Sequence, residues 1–410
     1  MRYREWIENP CGAKPLDASA AERVRPVKFA GEEWMKRAWK SNLTIAAFVI
    51  AAFFFASVAV RGARNAAPSG AVSDPDAGQG MMGQTGQVQP NSASGYHLLK
   101  TIPVPGDTFW DYLKFQPSTR RLFITHGDEV QVLNVNTGTI VGTMGGMEGI
   151  HGVVLAPQFN RGFVTDGRAA KVWIFNLKTL KVTGSVRDDK DADGDVYDPA
   201  SKRVFTMNGD SRTSTVIDAK TGKVVGHIEL GGQPEFPVAD GRGHVYANIE
   251  STSEIVEIDS HAMKITHRWP LAPGTWPSGL AIDAKHHILF SGCRNKLMVI
   301  MSADDGKVLA TEPIGQGVDA TRFDPGTDYA FASNGASANL TVIHEDSPTS
   351  FHVVENVPTE MGARTMALDP KTHDVFLVTA DIQRIDHPAP HTRPFRMAPG
   401  TFRVLVYGMK

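Results

Sequence analysis

Between residues 115 and 368 the chain repeats one pattern seven times, and that repetition restricts its fold more than any other feature. The apolar residue ahead of a D-P or similar corner recurs at Phe115, Leu155, Tyr197, Val238, Ile282, Phe323 and Leu368, at intervals of 40, 42, 41, 44, 41 and 45 residues. The clearest copy covers residues 202–236, KRVFTMNGDSRTSTVIDAKTGKVVGHIELGGQPEF, where VFTM, STVID and KVVGHIEL are separated by Asn-Gly-Asp and Thr-Gly. Alternation of apolar and polar residues is the period of a strand with one buried face, and the separators are turn formers. A unit of this size cannot bury its own apolar faces, so it requires neighbours of its own kind.

The chain supplies them. Second strands follow the corners at RLFITHG, RGFVTDG, KRVFTMNG, GHVYANIE, HILFSGC, DYAFASNG and DVFLVTAD, and third and fourth strands follow these in the first six units. The seventh unit has a third strand, FRVLVYG, but no fourth, whereas residues 97–103, HLLKTIP, stand just ahead of the first corner where such a strand belongs. The expected fold is therefore all-β: a seven-bladed β-propeller over residues 96–410, closed by pairing the amino-terminal strand with the carboxy-terminal three. Ring closure removes the open sheet edges that a linear solenoid would have to cap with polar end units.

The phrases FVTDG, FTMNG, YANIE and FASNG, each followed by a hairpin of the V-x-V-I-D-x-x-T-G-K-V-V type, resemble the YVTN-repeat, or YncE-like, seven-bladed propellers of bacteria, a WD40-like repeat architecture. Three repeats depart from the turn motif, with Thr179-Leu180, His261-Ala262 and Ser347-Pro348 in place of Thr-Gly. The resemblance implies an architecture and leaves activity open, because the motif is structural.

Ahead of the repeats, residues 43–60 form an 18-residue run in which only Thr44 and Ser57 are polar, a length of about 27 Å as a helix. Trp34, Lys36, Arg37, Trp39 and Lys40 precede it, and basic residues are denser before the run than after it. The positive-inside rule then predicts a cytoplasmic tail over residues 1–42, one transmembrane helix over 43–60 and the remainder on the far side. No A-x-A site follows the run, which argues against a cleaved leader. Residues 61–95, rich in Ala, Gly, Gln, Ser and Pro, read as a flexible linker. With the bacterial resemblance, the expected location is the inner membrane with a periplasmic propeller. Cys11 and Cys293 fall on opposite sides of that membrane, so no intrachain disulfide is expected, and C-x-x-C-H is absent. Residues 96–410 carry 31 Lys and Arg against 36 Asp and Glu, a balance that disfavours nucleic acid as a partner.

Candidate chemistry lies in the loops that enter each innermost strand, since these meet at one mouth of the central channel. Four residues back from each corner stand Asp111, His151, Asp193, Pro234, Ser278, Asp319 and Arg364. They form either a polar funnel for a small ligand, cation or peptide, or a merely hydrated entrance. The run 188–195 contains D-x-D-x-D-G, which supplies alternating carboxylates from Asp189, Asp191, Asp193 and Asp195, as a calcium loop does, but Ala200 stands where its bidentate Glu belongs. Ca2+ is thus the one cofactor suggested, with a solvated acidic loop as the alternative. Residues 380–400, with Arg384, His387, His391, Arg393, Arg396 and four prolines, read as a long partner-binding loop, lid or unstructured insertion. His126, His286, His287 and the lone Cys293 are better explained by strand and turn positions, and Trp110 and Trp276 either pack between blades or stack on a ligand.

Two functions follow. One is a membrane-tethered module that binds a ligand or scaffolds a protein partner, favoured by the absence of any recognisable catalytic constellation. The other is an enzyme of lyase, lactonase or quinone-dependent oxidoreductase type with its site at the channel mouth, since propellers host such activities.

Overall fold

A computed structural model describes residues 94–385 and 395–409. They form seven four-stranded antiparallel sheets, and six of these are simple meanders in chain order: 110–144, 150–187, 192–229, 234–270, 277–313 and 318–358. The seventh combines Met366–Leu368, Val375–Thr379 and Arg403–Gly408 with His97–Pro103 on its outside. His97 pairs with Gly408 and Pro103 with Arg403, so the ring closes with one amino-terminal and three carboxy-terminal strands, as the missing fourth strand requires. The predicted tail, spanning run and all but the end of the linker lie outside the described residues. Among those described, no helix is long and apolar enough to cross a membrane.

The repeat has a physical origin in the second strands. Their third or second residue is Phe123, Phe163, Phe205, Tyr246, Phe290, Phe331 or Phe376, each at most 4% exposed. One large aromatic per blade fills the wedge between neighbouring sheets, so the hydrophobic clusters run across blade boundaries rather than within blades. Fourth strands are mostly exposed and alternate, as in Lys223–Glu229, because only one end of each outer strand reaches the core.

Two of the three turn departures keep the turn geometry with another residue in the glycine position. Gly138, Gly222 and Gly306 take φ near +71°, and Leu180 and Met263 occupy the same left-handed position at +54° and +55°. Asn176 Oδ1 accepts from the amides of Lys178 and Thr179, and Asp259 Oδ1 from His261 and Ala262, so a side-chain acceptor holds each turn without glycine. The sixth blade avoids the motif by lengthening both strands until Ser347 pairs with Ser350.

The insertion over residues 380–400 is partly ordered. Ile382–Arg384 pairs with Phe395–Met397 as a short hairpin, and Ile382 and Met397 pack on the core around Trp110 and Phe402. His387, His391 and Arg393 lie outside the described residues.

Candidate functional site at the channel mouth

Six innermost strands carry the same irregularity near their starts. The pairing register slips by one residue between Trp110 and Leu113, Ile150 and Val153, Ala192 and Asp195, Pro234 and Pro237, Pro277 and Leu280, and Val318 and Ala320. A β-bulge releases one residue from the ladder and re-aims its side chain. The bulged segments contain Asp111, His151, Asp193, Glu235, Ser278 and Asp319, and Arg364 enters from just ahead of the seventh inner strand.

These side chains touch in sequence around the mouth. Glu235 Oε1 and Asp319 Oδ1 lie 3.2 and 3.1 Å from Ser278 Oγ, and Asp319 is ion-paired with Arg364. Arg364 Nη2 donates to the Trp110 carbonyl at 3.1 Å and lies 3.8 Å from Asp111 Oδ1. His151 Nδ1 is 2.7 Å from Asp111 Oδ2 and 3.4 Å from Asp193 Oδ1. Read round the ring the residues are Asp, His, Asp, Glu, Ser, Asp and Arg, and the step from Asp193 to Glu235 is the single junction of like charges.

The electrostatics reflect that junction. Burial pushes the Asp193 carboxyl up to about 7; the His151 charge opposes this, and Asp111, Asp191 and Asp319 reinforce it. Glu235 is raised well above its ordinary value, first by burial and then by Asp193 and Glu250, against Arg294. Burial lowers the His151 imidazole, but the Asp193 charge, the Asp111 hydrogen bond and the charges of Asp111 and Asp191 outweigh it and hold it at about 9. Glu250, paired to Arg294 at 2.6 Å, is raised by burial, so the fourth-blade side of the mouth holds a second unfavourably buried carboxylate.

Six of the seven positions expected from the sequence are brought together, and one is corrected. Pro234 is the first residue of its strand, paired with Ile249, and Glu235 takes its place in the ring. In the fourth blade the small Ala239, not Val238, is the residue that precedes the corner Asp240. Counting five residues back from the corner Asp recovers Glu235. Glu250 and Arg294 carry no repeat signal, because they sit where second strands end and vary from blade to blade.

The acidic run 188–195 is divided between a loop and the strand that follows it. Asp189 Oδ2 accepts from Thr213 Oγ1 at 2.7 Å and lies 3.4 Å from His227, and Asp191 takes φ +60° at the turn before the strand. Asp193 and Asp195 belong to the strand Ala192–Asp198, where the bulge places Asp193 in the ring and Asp195 farther down the channel wall. Three other clusters among the described residues bring three metal-capable side chains within 4.8 Å of one another: Asp111, His151 and Asp193 at the mouth; Asp283, His286 and Glu345 between the fifth and sixth blades; and His344, Asp346 and His352 on the sixth.

Trp110 is 4% exposed and packs on Phe402 at 5.4 Å, so it serves the core, while Trp276 is 51% exposed. His126 is buried, hydrogen-bonded to Thr108 Oγ1 at 2.7 Å and lowered to about 4 by burial, a structural histidine. Burial raises the Cys293 thiol to about 12. Iodoacetamide at neutral pH is expected to leave the Cys293 peptide unmodified in the folded protein and to alkylate it after denaturation, as read by mass spectrometry.

No family model and no curated protein matches the chain. Among solved structures, the hydrazine synthase of Kuenenia stuttgartiensis is similar in fold, with a TM-score of 0.60 and 12% identity over 67% of this chain and 94% of that one. At that identity the likeness is one of architecture: the chain is a seven-bladed β-propeller.

Proposed function

We propose that the chain is a cation-binding propeller of the YVTN-repeat, YncE-like kind, held to the bacterial inner membrane by residues 43–60 with the ring in the periplasm, and that its site is the mouth. The observation that carries this reading is the Asp193–Glu235 junction. Two carboxyls on neighbouring blades, both raised first by burial, with the Asp193 charge raising Glu235 further, are stabilised by any positive ligand placed between them. Asp111, His151 and Asp193 offer two oxygens and one nitrogen, a donor set suited to a divalent transition ion. Occupancy displaces protons from the carboxyls and from the His151 imidazole, so affinity rises with pH through about 7 and on through about 9.

Titration of the purified full chain with Mn2+ and Zn2+ by calorimetry tests the reading. Asp193→Asn and Glu235→Gln are each expected to weaken binding at least about tenfold, or about 1.4 kcal/mol, whereas Arg364→Ala is expected to change it far less. Equal affinity in wild type and both carboxamide variants counts against it.

One observation favours an enzyme as the second reading. His151, pinned between Asp111 and Asp193, and an Asp193 carboxyl near 7 make an acid–base pair able to exchange a proton at neutral pH. Turnover abolished by His151→Ala but retained in Glu235→Gln, which weakens cation binding, would separate catalysis from binding.

A further inference from the structure

Beyond the mouth ring the channel is crossed by Tyr112 and Phe236, whose ring centroids are 5.2 Å apart with planes inclined by 36°. On the far side of this aromatic pair lies a cavity of about 600 Å³, lined by the innermost strands of all seven blades and reaching the corners at Pro199, Gly241 and Pro370. That volume falls within the range of small-molecule sites. We propose that this corner-side chamber is a second binding site, distinct from the mouth, for a small organic anion with a flat apolar body.

Two cationic side chains enter the chamber, Lys114 from the first blade and Arg322 from the sixth. Arg322 Cζ stands 4.7 Å over the Phe236 ring, and Nη1 donates to the Thr321 carbonyl at 2.8 Å. Among the described residues neither cation has a carboxylate oxygen within 4.0 Å. Burial and the Arg322 charge lower the Lys114 ammonium, and Asp195 only partly offsets them. The acidic residues of the lining do not fill the role of counter-ion. Burial raises the Asp195 carboxyl well above its ordinary value, and Asp240 at the rim is bonded to His244 Nδ1 at 2.8 Å. Lys114 is exposed to the chamber and Arg322 is half-buried in its wall, and with no carboxylate of the described residues paired to either, both can meet an anion that enters.

The rest of the wall selects the body of the ligand. Leu113, Val154, Leu280, Ala281 and Ala367 present apolar surface, and Tyr112 and Phe236 offer an aromatic surface at the inner end. A planar guanidinium beside an ammonium matches a carboxylate or phosphate monoester. The two halves of the channel thus have opposite preference: carboxylates gather at the mouth, cations in the chamber, and Tyr112 with Phe236 stands between them.

Calorimetry on the full chain with phenyl phosphate and benzoate, and with benzylamine as competitor, provides the test. Both anions are expected to bind with Kd at or below about 1 mM, and benzylamine is expected not to displace them. Lys114→Met and Arg322→Met should each weaken anion binding at least tenfold, and Glu235→Gln should leave it unchanged even where it abolishes cation binding at the mouth. Because Arg322 also covers Phe236, Lys114→Met, checked for an unchanged Tm, is the deciding variant. Absence of saturable anion binding, binding indifferent to Lys114→Met, or binding lost with Glu235→Gln would overturn the proposal.

Discussion

A chain that begins at residue 105 is expected to lose the cooperative unfolding of the propeller and to self-associate, as read by circular dichroism melts and size-exclusion chromatography. The segment removed supplies the outer strand of the seventh blade, from the His97–Gly408 pair to the Pro103–Arg403 pair. Without it the strand Arg403–Gly408 becomes an open edge, a ready template for another chain. Ile102, 2% exposed, leaves the cluster that contains Leu122, Phe376 and Phe402. The residues just ahead of the strand also bind across a blade boundary, where Ser94 Oγ donates to Glu355 at 2.7 Å and Tyr96 meets Phe331 at 5.1 Å, and within the seventh blade Tyr96 OH donates to the His373 carbonyl at 2.7 Å. Ile102→Asp isolates the same closure in one residue. It buries an unpaired carboxylate and empties an aliphatic site, a loss of at least about 3 kcal/mol, or a fall in Tm of about 6 °C or more. An unchanged Tm for Ile102→Asp would show that the closing strand is not coupled to the ring.

The ring was legible because its information is local and repeated. Each blade announces itself by a second-strand aromatic, a corner and a hairpin turn, and a strand missing at one end was present at the other. The mouth was legible almost as well, since one offset from the corner finds six of seven positions, and Glu235 escaped because in the fourth blade the small Ala239, not Val238, is the residue that precedes the corner Asp240. The chamber was not legible. Lys114 and Arg322 occupy equivalent places in innermost strands of different blades, more than 200 residues apart, and each reads in isolation as the polar member of an alternating strand. Only ring closure brings them into one cavity. The acidic run is divided for a related reason: D-x-D-x-D-G reads as one loop, but from Ala192 onward the residues are strand, and a bulge parts Asp193 from Asp195.

Folding stability is expected to decline as pH rises from about 4 to about 9, with the mouth ring as a principal source. The Asp193 carboxyl is raised from 3.8 to about 7 in the folded protein, so the folded state holds a proton that the unfolded chain has released. That contribution is fully present below 3.8 and is lost as pH rises through about 7. His151, raised from 6.5 to about 9, contributes stability fully present below 6.5 and lost as pH passes about 9. Asp193→Asn removes the first of these and weakens the second, because Asp193 is the largest of the influences that hold the imidazole up. Between pH 4 and 7 the wild type should therefore lose at least about 1.4 kcal/mol more than Asp193→Asn, the equivalent of one pKa unit, or about 2–4 °C in Tm. Glu235→Gln should flatten the profile in the same sense, since Glu235 is also raised. Parallel profiles for wild type and Asp193→Asn would exclude the ring as the origin of the decline. Mn2+ at saturating concentration should have the same flattening effect on the wild type, because a cation at the Asp193–Glu235 junction replaces the charge that protons supply at low pH.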